Sequence, residues 1–300
     1  MKQNPRRLTG TPSQAYRLIF RSFGVENYED HQMRITPDTE VHFTCDSIAV
    51  TRILPKYTKG GLSGFDSKVE LLDRDNYVVV YVFAAATQDQ EIIGQGRTTA
   101  EPLLGLIDLM LGKGILDELV SEDIERTISG ATYTRGDLTL RRVPDEPKDI
   151  AAENRLARFE SAAKLISKAG GIDDRTRTAL RWYRKGIMER NAVDRFLAFW
   201  ISLETATGVK NGNPTHIAVY LSRVLNKDSS SIKSQLCLGE LYRLRGEILH
   251  SGKTQVKKTG RTVTSLTMRE LDLLKAIVEE CLHFVIEGHC VGVLTGNSWL

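Results

Sequence analysis

Residues 191–204 have the sequence Asn191-Ala192-Val193-Asp194-Arg195-Phe196-Leu197-Ala198-Phe199-Trp200-Ile201-Ser202-Leu203-Glu204. Bulky apolar side chains recur in this stretch at helical spacing, which predicts a helix over 192–207 that contributes to a core. Similar segments follow one another through the second half, separated by glycine, asparagine, proline and serine breaks. We therefore predict helices near 150–169, 174–190, 192–207, 214–226, 231–249 and 267–288. The aromatic side chains of this half are predicted to form its core rather than base-stacking platforms: Trp182, Tyr183, Phe196, Phe199 and Trp200.

A domain boundary is predicted at 142–149. Pro144 and Pro147 lie there in a charged stretch that cannot continue a strand or a helix. The sequence therefore predicts a β-rich mixed domain over residues 1–146 and an all-α helical bundle over residues 147–300. The predicted fold class is α+β.

The first half has the residue pattern of short β-strands. Strands are predicted at 40–45, 68–72 and 77–83, and the last two are predicted to form a hairpin through the polar turn between them. Residues 77–83 are apolar on consecutive positions, so we expect this strand to be buried on both faces. A second hairpin is predicted over 131–140.

Three further segments have patterns of their own. Two helical stretches are predicted between 101 and 129, at 103–111 and at 115–128, because their apolar residues follow helical spacing. Residues 58–65 are rich in glycine but lack the spacing of a phosphate loop, so we predict a mobile surface loop. The polar and basic stretch 253–264 is also predicted to be a flexible surface loop.

The composition is that of a globular protein, with 41% hydrophobic and 26% charged residues. No apolar run is long enough to span a bilayer, and no secretory signal is expected. The four cysteines form no disulfide framework, so we predict a cytoplasmic protein. No metal site is predicted, because the spacing of Cys281, His283, His289 and Cys290 resembles no standard zinc site. No cofactor or membrane partner is expected either.

The charge is unevenly distributed between the two halves. Residues 1–150 contain 18 Lys and Arg against 23 Asp and Glu, a net charge of −5, whereas residues 151–300 contain 23 against 15, a net charge of +8. A basic half is compatible with a polyanionic partner. The asymmetry also favours two domains with different partners.

Two segments of the second half carry a family resemblance. Residues 241–252 contain Arg245 and, after four intervening residues, His250, late in a predicted helix. This segment resembles the Arg-x4–6-His motif of HEPN domains. Residues 179–204, with an aromatic pair, Asp-Arg-Phe-Leu and Trp-x-x-x-Glu, are similar to the ApeA-like branch of that family. The resemblance covers about the last 140 residues, and the first half resembles no family that we can name.

The resemblance implies a metal-independent endoribonuclease with RNA as its partner. Histidine can transfer protons near neutral pH, and arginine offers donors matched to phosphate oxygens. His250 is then the predicted acid/base, Arg245 the phosphate ligand and Glu204 a polar support on a facing helix, and these three are the predicted catalytic residues. For Glu204, an ion pair with Arg195 or Arg245 is an equally open interpretation. The predicted RNA contacts are Arg243, Lys253, Lys257 and Lys258.

Helical geometry adds a condition, because residues five apart on a straight helix point about 140° from each other. Arg245 and His250 can act together only if His250 lies beyond the last regular turn, if the helix frays at 251–252, or if a second subunit completes the site. HEPN domains typically dimerise across these motifs, so the resemblance implies a homodimer. Arg243 lies seven residues before His250, on the same face, and is a rival phosphate contact.

One position departs from the family pattern, because Gly246 follows the motif arginine where Asn, Asp or His is common. This favours the alternative that the HEPN domain is catalytically inactive and serves dimerisation or binding of nucleic acid or nucleotides. With an active site, the architecture resembles toxins and phage-defence effectors, and the first domain would then recognise an unknown ligand or trigger. A third hypothesis is an accessory or scaffold protein.

Overall fold

A computed structural model describes residues 14–22, 25–26, 30–84, 86, 88–112, 115–116, 118–126, 148–149, 155–167, 173–257, 263–289 and 292–296. The strands are β1 (Gln14–Arg21), β2 (Val25–Glu26), β3 (His31–Thr36), β4 (Thr39–Thr44), β5 (Ile48–Thr58), β6 (Gly61–Leu72), β7 (Tyr77–Phe83), β8 (Glu118–Arg126), β9 (Lys148–Asp149), β10 (Gln255–Lys257) and β11 (Val263–Ser265). The helices are α1 (Asp89–Met110), α2 (Arg155–Ser167), α3 (Asp174–Met188), α4 (Ala192–Thr207), α5 (Pro214–Leu225), α6 (Ser229–Gln235), α7 (Leu238–Ser251), α8 (Met268–Glu287) and α9 (Val293–Gly296).

The described residues divide into two compact units. Unit 1 contains those up to residue 103 together with those from 110 to 167, and unit 2 contains residues 104–109 and those from 168 onward. The β-sheet lies in unit 1 and helices α3 to α8 lie in unit 2, so the fold class is α+β as predicted. Helix α2 belongs to unit 1 in this division, and the predicted boundary at 146–147 lies between the described segments.

Unit 1 is built on a five-stranded antiparallel sheet with the order β3-β4-β7-β1-β8. β7 lies at its centre, where consecutive residues from Tyr77 to Val80 are buried, which confirms the predicted burial on both faces. One face packs against helices: Phe43 of β4 contacts Phe159 of α2 edge to face, and Gly96 of α1 lies so close to the Tyr16 ring that a Cβ would overlap it. Burial of large apolar side chains on both faces therefore stabilises the sheet.

Three predictions for unit 1 are corrected by strand pairing. The strands at 40–45 and 77–83 are confirmed, but the segment 68–72 pairs with β5 rather than with β7, which uses both of its edges for β4 and β1. The glycine-rich segment 58–65 is not a loop. It forms the end of a long β5–β6 hairpin, where glycine serves a two-residue turn and a bulge.

The third correction concerns the stretch predicted as a helix over 115–128. Residues 118–126 form strand β8 and pair along β1. Both faces of β8 are buried, and its acidic side chains Glu122 and Asp123 each meet an arginine, Arg97 and Arg17. These distant partners override the local helical spacing of the apolar residues. The helix at 103–111 is confirmed as the end of α1, which begins earlier than predicted.

Unit 2 contains the predicted helices with nearly the predicted limits. α4 contacts α3, α7 and α8, and its residues are buried on most sides. The predicted helix over 231–249 is divided into α6 and α7 at Cys237, whose φ is 48°. Leu236 and Leu238 would point to opposite sides of a continuous helix, yet both are fully buried. The break between α6 and α7 allows both side chains to reach the core.

The remaining predictions have mixed outcomes. The helix predicted over 150–169 is observed as α2. Part of the predicted loop at 253–264 forms an antiparallel pair, β10 with β11, so the second half is not entirely helical. The predicted hairpin at 131–140 lies outside the described residues. In the described ranges, no helix combines the length and the apolar character needed to cross a membrane.

Candidate functional site

Arg245 and Glu204 form an ion pair between α7 and α4. Nη2 of Arg245 lies 3.5 Å from Oε1 of Glu204, and the two side chains are 25% and 20% exposed. The same Oε1 accepts a hydrogen bond from the indole N–H of Trp200 at 2.8 Å. Of the two partners that the sequence left open for Glu204, the structure therefore shows Arg245. Two of the three predicted catalytic residues are in contact.

Local sequence signals place Glu204 at this point. The side chain of Asn191 caps the start of α4, and Gly208 ends the helix in the left-handed conformation with φ 67°. Trp200 and Glu204 are four residues apart, so they lie on the same face of α4. Trp200 is 1% exposed, and its ring centroid lies 6.1 Å from that of Phe196. The buried indole is thus a fixed donor for the carboxylate.

A tight turn lies against this pair of side chains. Residues Lys210–Gly212 form a 3-10 turn after α4, with φ values of 59° at Asn211 and 57° at Gly212. A Cβ at Gly212 would overlap Oε1 of Glu204 and stand 2.6 Å from Nε1 of Trp200. Glycine is required here both by the left-handed backbone and by the close approach.

The guanidinium of Arg245 keeps most of its donors available. Its ion pair uses one nitrogen, at a distance beyond a short hydrogen bond, and no hydrogen bond to Arg245 is found within the described part of the chain. An arginine that is partly exposed and has unused donors is suited to bind phosphate or another anion. Tyr242, on the preceding turn of α7, is half-buried, with its ring 6.3 Å from that of Trp200.

His250 lies within the last turn of α7 and is exposed. The helix continues through Ser251, and the backbone N–H of Gly252 bonds back to Ile248 at 3.1 Å. His250 is therefore neither beyond the last regular turn nor in a frayed end, which excludes two of the three conditions set by the sequence. On this helix Arg245 and His250 point about 140° apart. A single chain does not bring the predicted pair together.

The other predicted RNA contacts have different positions. Arg243 is exposed on the His250 face of α7, and Lys253 is exposed just beyond the helix. Lys257 belongs by its backbone to β10, and the position of its side chain lies outside the described residues, as does all of Lys258. The structure thus places two cations, Arg243 and Lys253, near the exposed end of α7, and Arg245 apart from them beside Glu204.

Two residues contribute to this site in ways that the sequence pattern does not indicate, Trp200 and Gly212. Trp200 was predicted as a core residue, and it is buried as expected, like Tyr183, Phe196 and Phe199; Trp182 is half-buried, with Nζ of Lys185 4.7 Å from the centre of its ring. The Trp-x-x-x-Glu spacing could have indicated the hydrogen bond, because it places both side chains on one helical face. No local signal indicates that the turn at Gly212 folds back onto them.

A second arginine of unit 2 is held by an acidic residue in a more buried setting. Arg184 of α3 forms an ion pair with Asp108, which is 3% exposed. The neighbouring Tyr183 donates to Oε1 of Glu279 at 2.6 Å, and burial together with the charge of Glu279 raises its pKa. Because these polar groups are largely buried and each has a partner within unit 2, they are suited to structure rather than to binding.

No group of three or more histidine, cysteine or acidic side chains that could hold a metal occurs in the described ranges. His283 is 7% exposed, and its Nδ1 lies 2.6 Å from Oε2 of Glu287, one turn later on α8. Cys281 is buried on the same helix, and Cys290 lies outside the described residues. The nitrogen of His283 is thus used by an internal hydrogen bond.

Unit 1 contains a polar row across one face of its sheet. Neighbouring strands place Arg34, Glu40, Tyr81, Arg17 and Asp123 side by side in that order. Arg34 lies 3.8 Å from Glu40, and Arg17 binds Asp123 at 2.6 Å. Burial, and then the charge of a nearby glutamate, raises the pKa of Tyr81. The positive and negative charges of the row balance one another, so the row by itself does not indicate a ligand. Recognition of a trigger by this domain stays a prediction.

Comparison of the chain with family models, with curated proteins and with solved structures finds no match. A function can therefore be inferred only from the residues of unit 2 and from the motif resemblance.

Proposed function

We propose that unit 2 is a HEPN-type domain that binds RNA and, as a homodimer, cleaves it without a metal ion. The observation that supports this most strongly is the Arg245 guanidinium, which is paired at one nitrogen with Glu204 and otherwise has donors to spare. His250 is exposed on the same helix and available to a second molecule. The basic character of this half of the chain suits a polyanion.

The proposed chemistry divides the roles among three side chains. A base removes the proton from the ribose 2′-OH, the oxygen attacks the adjacent phosphorus, and an acid protonates the 5′-oxygen as its bond to phosphorus breaks. His250 accepts the proton of the 2′-OH and delivers it to the leaving 5′-oxygen, and Arg245 stabilises the negative charge on the pentacovalent phosphorus. Glu204 holds Arg245 and takes no proton. The need for a 2′-OH restricts the substrate to RNA.

In this proposal the two reacting side chains come from different subunits. Because Arg245 and His250 of one chain point apart, the proposed site combines Arg245 of one subunit with His250 of the other across a twofold axis. A dimer of this kind has two equivalent sites. Cleavage is then lost on dilution below the dissociation constant of the dimer, whereas a site within one chain would stay active.

The alternative function is an inactive HEPN module that binds RNA or forms dimers. Gly246 favours it, because glycine supplies no side chain at the position after the motif arginine. The separation of Arg245 and His250 within one chain also favours it. This alternative predicts RNA binding that depends on Arg245 and no cleavage product.

The test is incubation of the full-length protein with end-labelled single-stranded RNA in EDTA. Arg245→Ala and His250→Ala are expected to abolish cleavage. Matched controls are Arg223→Ala and His216→Ala, which remove an exposed arginine and an exposed histidine of α5 and should retain full activity. Absence of cleavage by the wild type, or equal cleavage by His250→Ala, would refute the ribonuclease assignment.

A mixing experiment tests the two-subunit site. Arg245→Ala and His250→Ala, each inactive alone, are mixed, allowed to exchange subunits and assayed. Half of the dimers are then mixed and have one intact site each, so about one quarter of wild-type activity should return. No recovery despite subunit exchange would contradict a site shared between two subunits.

We place this activity in the cytoplasm, as a toxin or phage-defence effector whose first unit responds to a trigger. The support is the sparse cysteine content and the different charge of the two halves. Expression in cells, with and without phage infection, should arrest growth only when Arg245 and His250 are intact. Equal growth of wild-type and His250→Ala cells under both conditions, at equal protein levels, would contradict the proposal.

A further inference from the structure

Oε1 of Glu204 is the point at which three segments of unit 2 meet. It accepts the indole N–H of Trp200 at 2.8 Å and lies 3.5 Å from Nη2 of Arg245. The backbone of Gly212 covers the same atom. The carboxylate that pairs with Arg245 is thus restrained from its own helix and from the turn that follows that helix.

We infer that Trp200 and Gly212 are positioning residues that fix the direction of the Arg245 guanidinium through Glu204. The inference rests on the proposed function, in which Arg245 binds phosphate. A glutamate with free side-chain rotation would follow the arginine, and the pair would move together. When one oxygen of the glutamate is held in place, the guanidinium that pairs with this oxygen keeps a fixed direction. The unused donors of Arg245 are then oriented before the substrate arrives.

Each restraint depends on a specific property of its residue. Trp200 is 1% exposed and packed between the rings of Phe196 and Tyr242, so its N–H cannot turn away. Gly212 has φ 57°, and any larger residue would need the space that Oε1 and the indole nitrogen occupy. Phenylalanine at 200 would keep the ring packing but lose the donor. Alanine at 212 would push the carboxylate away from the indole.

The experiment measures how fast phenylglyoxal modifies Arg245 in the full-length protein, resolved by peptide mass spectrometry. Trp200→Phe and Gly212→Ala are the two variants. Loosening an ion pair of this exposure should accelerate modification of Arg245 roughly threefold. Modification of Arg195 serves as an internal reference, because this arginine of α4 is 7% exposed and reacts faster only if the helices separate.

Gly208→Ala is the matched control for Gly212→Ala. Gly208 has a similar left-handed φ of 67°, but its Cβ would meet only the flexible end of Arg175. It therefore imposes the same backbone strain without touching Glu204, and Arg245 should react at the wild-type rate. Unchanged Arg245 reactivity in both Trp200→Phe and Gly212→Ala overturns the inference. An equal rise at Arg195 overturns it as well, since that result shows general loosening.

RNA affinity is measured in parallel with the same variants. If the wild type binds single-stranded RNA, both variants should bind about threefold more weakly, in step with the reactivity of Arg245. If the wild type binds no RNA, the proposed function fails, whereas the reactivity of Arg245 still decides whether Trp200 and Gly212 position it.

Discussion

Replacing Asp123 by asparagine should cause a large loss of stability in unit 1. Asp123 lies opposite Arg17 in the β1–β8 pair and receives two hydrogen bonds from it, at 2.7 and 2.6 Å. The two side chains are 0% and 8% exposed. Arg17 also donates to the backbone oxygen of Ala49 at 3.1 Å. The guanidinium therefore cannot reach water when its carboxylate partner is made neutral.

The expected cost follows from leaving the buried Arg17 guanidinium without its close counter-charge, because the next carboxylate, that of Glu125, lies 3.9 Å away and is 46% exposed. Removal of one partner of a buried ion pair costs about 3–5 kcal/mol, and asparagine retains an acceptor, so we expect about 3 kcal/mol. For a unit of this size, that corresponds to a melting temperature lower by roughly 6–12 °C. Removing both charges, as Arg17→Met with Asp123→Leu, should recover most of the loss because no unpaired charge remains.

The measurement is thermal unfolding followed by far-ultraviolet circular dichroism. Lys56 and Asp66 provide a matched control, because this pair joins two strands at 3.4 Å but is 60% and 63% exposed. Asp66→Asn should lower the free energy of unfolding by less than about 0.5 kcal/mol. If Asp123→Asn and Asp66→Asn had equal effects, or if the double variant were as unstable as Asp123→Asn, the argument from burial would be refuted.

Three further predictions concern other residues. Gly96→Ala should lower the free energy of unfolding by about 1–3 kcal/mol, because its Cβ would overlap the ring of Tyr16. Gly94→Ala lies on the same helix, but its Cβ meets no atom of the described chain within 4 Å, so this substitution should stabilise the protein. Urea unfolding compares the two variants. Asp173→Ala should destabilise the protein by about 1 kcal/mol at pH 7, since Asp173 caps α3. The hydrogen bond from the backbone N–H of Thr176 holds the pKa of Asp173 below its usual value, so the difference in stability from wild type should vanish as the pH falls through that lowered pKa. A persistent difference in thermal melts in acid would contradict this. Burial lowers the pKa of His42 despite the nearby Glu40, so the folded state favours the neutral histidine. The stability of the protein should therefore fall as the pH drops below about 6.5. The melting temperature of His42→Asn should fall less over the same pH range, and identical pH profiles of the two proteins would refute this role of His42.

The limits of the helices were predictable because the signals that set them are local. The observed α4 has the predicted limits, since Asn191 and Gly208 cap it through their own side chain and backbone. Asn213 and Pro214 start α5 in the same way, with the Asn213 side chain accepting from the backbone. Thr267 begins α8 through a capping box. Each signal acts within about one turn of the helix, so a single sequence contains it.

Strand pairing was not predictable in the same way. The acidic residues of β8 look like one side of a surface helix until Arg17 and Arg97 are known to lie beside them. These contacts join residues 106 and 25 positions apart. Likewise β7 was assigned to the nearest strand, although its edges are taken by β1 and β4. The choice among competing partners depends on packing over the whole sheet, which local spacing does not contain.

The candidate site contains one contact that the sequence indicates and one that it does not. The contact of Glu204 with Arg245 could be anticipated from the resemblance, whereas the turn at Gly212 that restrains it could not. The relation of Arg245 to His250 is a matter of helix geometry alone: α7 is regular through Ser251, so five residues place the two side chains about 140° apart. A Cβ at Gly246 would meet no atom of the described chain within 4 Å, so packing of that part does not require glycine at this half-buried position. Glycine lowers helix stability by about 1 kcal/mol relative to alanine, and Gly246 shares its helical face with His250, four residues later. In the proposed dimer that face meets the partner subunit and the RNA, so the assembly decides whether this motif cleaves.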